Sequence, residues 1–340
     1  MSQNRPVVDV PVIDISSLVD GSDSTVVAAE IDAACRETGF FSIVGHGVPA
    51  ELARHLDSLA REFFALPEHE KAAIAMPHGG RAWRGWFPVE GELTSGQPDL
   101  KEGLYFGQEL DADDPRVVAG VPLHGRNLFP VRPDGLRDAV PAYIAAVTNV
   151  GHLVLRGIAQ GLGLDRDWFD EHLTADPLVL FRIFHYPPMP AGAGGWGVAE
   201  HTDYGLITLL GQDDSGGLEV RSGDCWMAVA PHADALVVNL GDMLERMTGG
   251  VYRSTPHRVR NTSGTDRLSF PLFLDPAWDA EVLPVPSIGA SATDGSAVGD
   301  PSPRWDGRRV MDWSGTYGSY LLAKIGKVFP DLHSDVLDDT

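Results

Sequence analysis

The chain has 340 residues and carries 48 acidic against 26 basic side chains, a formal net charge of −22. That surplus disfavours nucleic acid and anionic membrane surfaces as partners, since neither gains from meeting a negative surface. Two cysteines are too few for a disulfide framework, and a 43% hydrophobic content is that of an ordinary soluble globular protein with a large core.

The length allows two units of about 150 residues, although β-barrel enzymes often exceed that as one. The first residues, Met1 to Pro6, lack a basic region followed by an apolar run, and no window is expected to reach membrane-span length, so the expected location is cytoplasmic. Ser24 is the expected cap of a helix carrying Val27, Ile31, Ala34 and Cys35 on one side, ended by Gly39. A strand, Phe40 to Val44, follows. Pro49 opens a second helix with an apolar face of Leu52, Leu56, Leu59 and Phe63, and Pro67 stops it. His46, between two glycines, reads as a turn residue satisfying local backbone.

The stretch from Gly79 to Pro88 is aromatic and cationic, and read alone it is a surface loop pinned by tryptophan packing. Lys101 and Glu102 adjoin a short strand and read as a structural ion pair. From Pro141 a long helix through Ile144, Val147, Val154, Leu155 and Ile158 is expected to lie as a spine against a barrel. Leu178 to Tyr186 is an apolar strand stopped by two prolines, with Arg182, Phe184 and Tyr186 on one face and His185 on the other. The glycine-rich segment Ala191 to Gly197 has the composition of a mobile cover.

Short strands then recur, at Leu206–Leu210, Gly217–Val220, Trp226–Val229 and Ala235–Asn239, separated by Asp-, Ser- and Gly-rich turns. That rhythm predicts an antiparallel, double-sheet jelly roll. Asn239 and Asp242 flank a glycine turn and are expected to hold its backbone. Leu283 to Pro303, dense in Pro, Gly, Ser and Ala, reads as an extended loop, and a last helix carries Tyr317, Leu321, Ile325 and Val328 before Phe329-Pro330 closes it.

The chemistry concentrates between Glu200 and Phe270. His201 and Asp203 are two apart, so on an extended strand they project the same way. His257 lies far enough downstream to return on a neighbouring strand. Two histidines and a carboxylate on one side of a metal leave the other side open, the arrangement of non-haem Fe(II) oxygenases, although zinc also takes such ligands. Arg267-Leu268-Ser269 favours iron. Its guanidinium fork and hydroxyl would grip a carboxylate beside the open metal, as an oxo-acid cosubstrate requires.

The ordered set of motifs resembles the 2-oxoglutarate and Fe(II)-dependent dioxygenases, in the branch named after isopenicillin N synthase. It comprises Val10-Pro11-Val12-Ile13-Asp14, the run from Gly39 to Pro49, Asp99-Leu100-Lys101-Glu102-Gly103, His201-x-Asp203, Asn239-Leu240-Gly241-Asp242, and His257 followed by Arg267-x-Ser269. The resemblance covers most of the chain. It implies a mostly β fold with flanking helices: a double-stranded β-helix (jelly roll) core at residues 176–280, a helical N-terminal scaffold at 1–175, and a loop and C-terminal helix at 281–340 packing on the core. It further implies that Fe(II) is held by His201, Asp203 and His257, that Arg267 and Ser269 hold the far carboxylate of 2-oxoglutarate, and that Tyr186 reaches the cosubstrate or the substrate. The region near Trp83 would then approach the substrate pocket.

The activity so implied uses O2 to oxidise a C–H bond of a small organic molecule, with release of succinate and CO2. Hydroxylation is the expected outcome, with desaturation or cyclisation as variants. An oxidase of the isopenicillin N synthase kind, using O2 without 2-oxoglutarate, would need the same anion fork for the carboxylate of its own substrate. A non-catalytic jelly-roll binding protein would lack a ligand or fork residue, whereas His201, Asp203, His257, Arg267 and Ser269 are all present.

Overall fold

The computed structural model describes residues 10–189, 194–289, 304 and 309–329. Fourteen strands are found among them: β1 (Val12–Asp14), β2 (Phe40–Val44), β3 (Gly85–Phe87), β4 (Leu93–Thr94), β5 (Gln97–Pro98), β6 (Glu102–Gly107), β7 (Leu178–Tyr186), β8 (Val198–His201), β9 (Ile207–Gln212), β10 (Leu218–Ser222), β11 (Cys225–Ala228), β12 (Leu236–Leu240), β13 (His257–Val259) and β14 (Arg267–Asp275). Eight of them form one mixed sheet in the order β1-β2-β12-β9-β14-β7-β6-β3, parallel only between β1 and β2. Four more form an antiparallel sheet, β11-β10-β13-β8. The two sheets make a jelly roll that does not close into a barrel, and strands from before residue 110 share the large sheet with those after residue 177.

The large sheet is buried on both faces, and β7 and β14 show why. Both are nearly all buried, so their two alternating side-chain sets serve different purposes. Leu180, Arg182, Phe184 and Tyr186 of β7 face a cavity, as do Ser269, Pro271 and Phe273 of β14. The opposite set meets the helix Leu136–Gly161, where Tyr143 packs on Phe181 with ring centroids 5.3 Å apart. Gly151 of that helix sits so close to the sheet that a Cβ there would lie 2.7 Å from Leu274 Cδ2.

This helix differs from expectation in two ways. It begins at Leu136, with Pro141 inside its second turn, where the proline forfeits one bond of the intrahelical ladder. Contrary to expectation, its 26 residues are also long and apolar enough to cross a membrane, yet 56% of the relevant window is buried inside the protein as a core helix. Ser24 precedes the helix Thr25–Glu37 as expected but makes no capping bond; its hydroxyl donates instead to Gln160 Oε1 at 3.0 Å, tying the two helices together. Cys35 is buried and Cys225 exposed.

The C-terminal helix Tyr317–Val328 closes the cavity with Tyr317, Leu321, Ile325 and Val328. It is fixed by two phenols: Tyr317 donates to Asp275 Oδ2 at 2.5 Å and Tyr320 to Asp242 Oδ2 at 2.8 Å. Residues 191–193 of the expected cover and residues 290–303 of the expected loop lie outside the described residues, as does Pro330.

Candidate active site

His201 ends β8 and His257 opens β13, and the two are direct cross-strand partners in the small sheet. Their rings are 4.2 Å apart between centroids. Asp203 is not on the strand, as alternation alone implied, but in the loop that carries the chain from the small sheet to β9. The three residues nevertheless converge, with one ligand atom from each lying within 4.8 Å of the others. Both imidazole Nε2 atoms stand 3.8 Å from Asp203 Oδ1.

The surrounding hydrogen bonds orient all three groups toward a shared ion. His201 Nδ1 bonds the Ala199 carbonyl at 2.8 Å and His257 Nδ1 the Thr255 carbonyl at 3.2 Å, so each Nδ1 carries the proton and each Nε2 presents a lone pair. Asp203 Oδ2 accepts from Thr208 Oγ1 at 2.5 Å and Asn239 Nδ2 at 2.6 Å, which leaves Oδ1 facing the imidazoles. Burial opposes the Asp203 charge, but His257, His201 and these two donors hold its carboxyl below the usual range. Burial, reinforced by His201 and opposed by Asp203, pushes the His257 imidazole well below its ordinary value and keeps it neutral. A donor set of two imidazole Nε2 atoms and one oriented carboxylate suits a divalent ion of the iron type.

Nothing in the sequence marks Thr208 on β9, and the glycine turn makes Asn239 an expected backbone brace. The structure corrects the second point: Asn239 holds the carboxylate of Asp203. Asp242 also spends its side chain elsewhere, on Tyr320 and on Arg304 at 3.3 Å, while its backbone N–H donates to the Asp203 carbonyl at 2.8 Å.

Arg267, Ser269 and Tyr186 meet at the other end of the cavity. Arg267 and Tyr186 are cross-strand partners, and the guanidinium lies 4.6 Å over the phenol ring, while the hydroxyls of Tyr186 and Ser269 are 3.3 Å apart. Arg267 is 1% exposed, and its Nε donates to the Gly216 carbonyl at 2.6 Å. Its two terminal nitrogens are buried and have no hydrogen-bond partner among the described residues. An unpaired guanidinium fork in such a position is costly unless an anion completes it, and a carboxylate matches its geometry.

Other residues sort by the face on which they fall. His46 is the turn residue expected, bonded to the Asp234 carbonyl at 3.0 Å. His185 points away from the cavity, between Glu102 at 2.9 Å and Asp266 at 2.7 Å. Lys101 and Glu102 do not pair with each other, because neighbours on an extended chain take opposite sides. Glu102 binds Lys71 at 2.7 Å and Trp86 Nε1 at 2.8 Å behind the sheet. Lys101 instead enters the cavity, where it pairs with Asp99 and with Glu92 at 2.6 Å. Trp83 lines the cavity too, while Arg84 and Trp86 are buried in the wall, so the 79–88 stretch is not a surface loop. Trp196 lies outside, stacked 4.1 Å from the Arg258 guanidinium. The cavity measures about 160 Å³ and contains both the triad and the Arg267 fork.

Two family models match the chain: the N-terminal region of a non-haem dioxygenase in morphine synthesis, over residues 10–132, and the 2OG-Fe(II) oxygenase superfamily, over residues 177–276. A probable iron/ascorbate oxidoreductase of Dictyostelium discoideum is 44% identical over 98% of this chain and 99% of its own length. A 2-oxoglutarate-dependent dioxygenase of Monascus ruber is 38% identical over 82% of this chain and 88% of its own. Among solved structures, a 2OG-Fe(II) oxygenase family protein of Caulobacter crescentus superposes with a TM-score of 0.77 at 29% identity, covering 93% of this chain and 98% of that one.

Proposed function

The chain belongs to the 2OG-Fe(II) oxygenase superfamily, and from that premise we propose that it hydroxylates a C–H bond of a small organic molecule, with His201, Asp203 and His257 holding the iron and Arg267, Ser269 and Tyr186 holding 2-oxoglutarate. The observation that carries the assignment of the cosubstrate end is the buried Arg267 fork, whose two terminal nitrogens have no hydrogen-bond partner among the described residues, in the cavity that the triad also lines. The named relatives favour 2-oxoglutarate over the oxidase reading.

When bound, iron(II) with 2-oxoglutarate and O2 supplies the oxidising power for C–H cleavage, with succinate and CO2 as coproducts. The protein's own residues bind, orient and exclude water. The Nδ1–H bonds of His201 and His257 fix the ring planes, and Thr208 and Asn239 hold one oxygen of Asp203 so that only the other is offered. Arg267 would hold the far carboxylate of the cosubstrate with its terminal N–H donors, joined by the hydroxyls of Ser269 and Tyr186, which are 3.3 Å apart. Leu321, Ile325 and Val328 of the C-terminal helix keep the reacting end dry.

Anaerobic addition of 2-oxoglutarate to the Fe(II)-loaded protein tests this reading. A weak visible charge-transfer band is expected, and Arg267→Ala should weaken 2-oxoglutarate binding by roughly 100-fold or more, the loss typical of a charge-assisted bidentate contact. Iron bound without any such band would overturn the cosubstrate assignment.

A further inference from the structure

The cavity holds a second buried guanidinium that neither the metal nor the cosubstrate uses. Arg182 is 7% exposed and lies on the cavity face of β7, four residues before Tyr186, about 13 Å along an extended strand. It sits on its own aromatic platform, 3.4 Å over the Tyr105 ring, whereas Arg267 lies over Tyr186. Its Nη1 reaches two backbone carbonyls, those of Phe106 and Phe181, each at 3.3 Å. Among the described residues no carboxylate forms an ion pair with it.

The neighbouring carboxylates are already committed to other partners. Glu92 is engaged by Lys101 at 2.6 Å and by the Tyr105 hydroxyl at 2.5 Å, Asp99 is taken by Lys101, and Asp275 accepts from Tyr317. Arg84, buried in the wall behind, donates to the same Phe106 carbonyl at 3.3 Å. Two guanidinium groups therefore converge on one carbonyl oxygen. Burial first, and Arg182 second, push Arg84 down to about 9. Phe184, Trp83, Leu321 and Phe329 supply apolar walls beside the charged Lys101 and Glu92. Burying a cation there without a paired counterion is costly, and an anion arriving from outside would remove that cost.

We propose that Arg182 anchors a carboxylate of the substrate, so that the enzyme acts on compact, largely apolar organic monoacids. This deepens the functional reading above and rests on it. A monoanion fits better than a dianion such as a phosphate monoester, because Glu92 lines the same cavity and would repel a second negative charge. Compactness follows because one cavity, lined by the triad, Arg267 and Arg182, must admit cosubstrate and substrate together.

The test uses the Fe(II)- and 2-oxoglutarate-loaded enzyme with a matched panel: straight-chain, branched and arylalkyl monocarboxylates of about six to ten carbons, each beside its primary amide and its primary amine. Acids should bind at least about tenfold more tightly than their own amides and amines, and at least one should stimulate succinate release. Arg182→Gln should abolish that discrimination while the 2-oxoglutarate band persists. Arg182→Lys, which keeps the charge but loses the fork, should retain part of it, and serves if the glutamine variant does not fold. The proposal is overturned if no acid binds better than its amide, or if the preference for acids survives in Arg182→Gln. Failure of the underlying functional reading would show separately, as absence of the 2-oxoglutarate band in the wild type.

Discussion

At the scale of single residues the metal site depends on groups that never touch the metal. Asn239 and Thr208 both hold Asp203 Oδ2, from two different strands of the large sheet. Removing one of them frees the carboxylate to rotate and loosens its aim at the ion. Asn239→Ala should weaken Fe(II) or Mn(II) binding by roughly 10–100-fold in an equilibrium titration, with the far-ultraviolet circular dichroism unchanged. Asp275 makes a different prediction. Burial, and secondarily the charge of Asp203, raise its carboxyl to about 7 against the opposing bond from Tyr317. The folded protein therefore binds a proton that the unfolded chain has released between about pH 4 and pH 7, so stability falls as pH rises through that window. Melting of the metal-free protein should show this decline, and Asp275→Asn should flatten it by an amount of order a few kcal/mol, visible at pH 8 and small at pH 5.

At the scale of elements, the helix Leu136–Gly161 and strands β7, β9 and β14 form one packing unit. The helix can approach the sheet only because Gly151 carries no side chain where Leu274 and Leu209 press against it, at 2.7 and 3.2 Å from a notional Cβ. Gly151→Val must push those leucines aside or lift the helix. A loss of roughly 1–3 kcal/mol in denaturant unfolding is expected from such overpacking, and an unchanged midpoint would mean that the interface relaxes freely. The same unit sets the cavity wall, since the opposite face of β7 presents Arg182, Phe184 and Tyr186.

At the scale of the whole molecule, a net charge of −22 on 340 residues makes self-repulsion a measurable part of stability. Raising NaCl from about 10 mM to about 300 mM shortens the screening length from roughly 30 Å to under 8 Å and should raise the melting temperature. Each kcal/mol of repulsion relieved corresponds to roughly 1–2 °C for a chain of this length. A fall in melting temperature would mean instead that surface ion pairs such as Arg116 with Asp114 and Asp176 outweigh the repulsion.

The candidate site was legible in the sequence alone: His201, Asp203, His257, Arg267 and Ser269 stand out because metal and carboxylate chemistry favours those side chains and because short motifs are local properties. The jelly-roll class was legible from the recurrence of short strands and turns. Partnership needed the fold. Asn239 reads as a turn brace until β12 is laid beside β9, which brings it to Asp203 together with Thr208. Lys101 and Glu102 read as a pair until β6 is laid between β3 and β7, which sends one into the cavity and the other behind the sheet. Arg182 reads as one polar residue in an apolar strand until Tyr105 arrives opposite it. A strand's alternation specifies which side chains share a face, but which strands lie side by side is set by burial of whole faces across distant segments, and that information is not local to any motif.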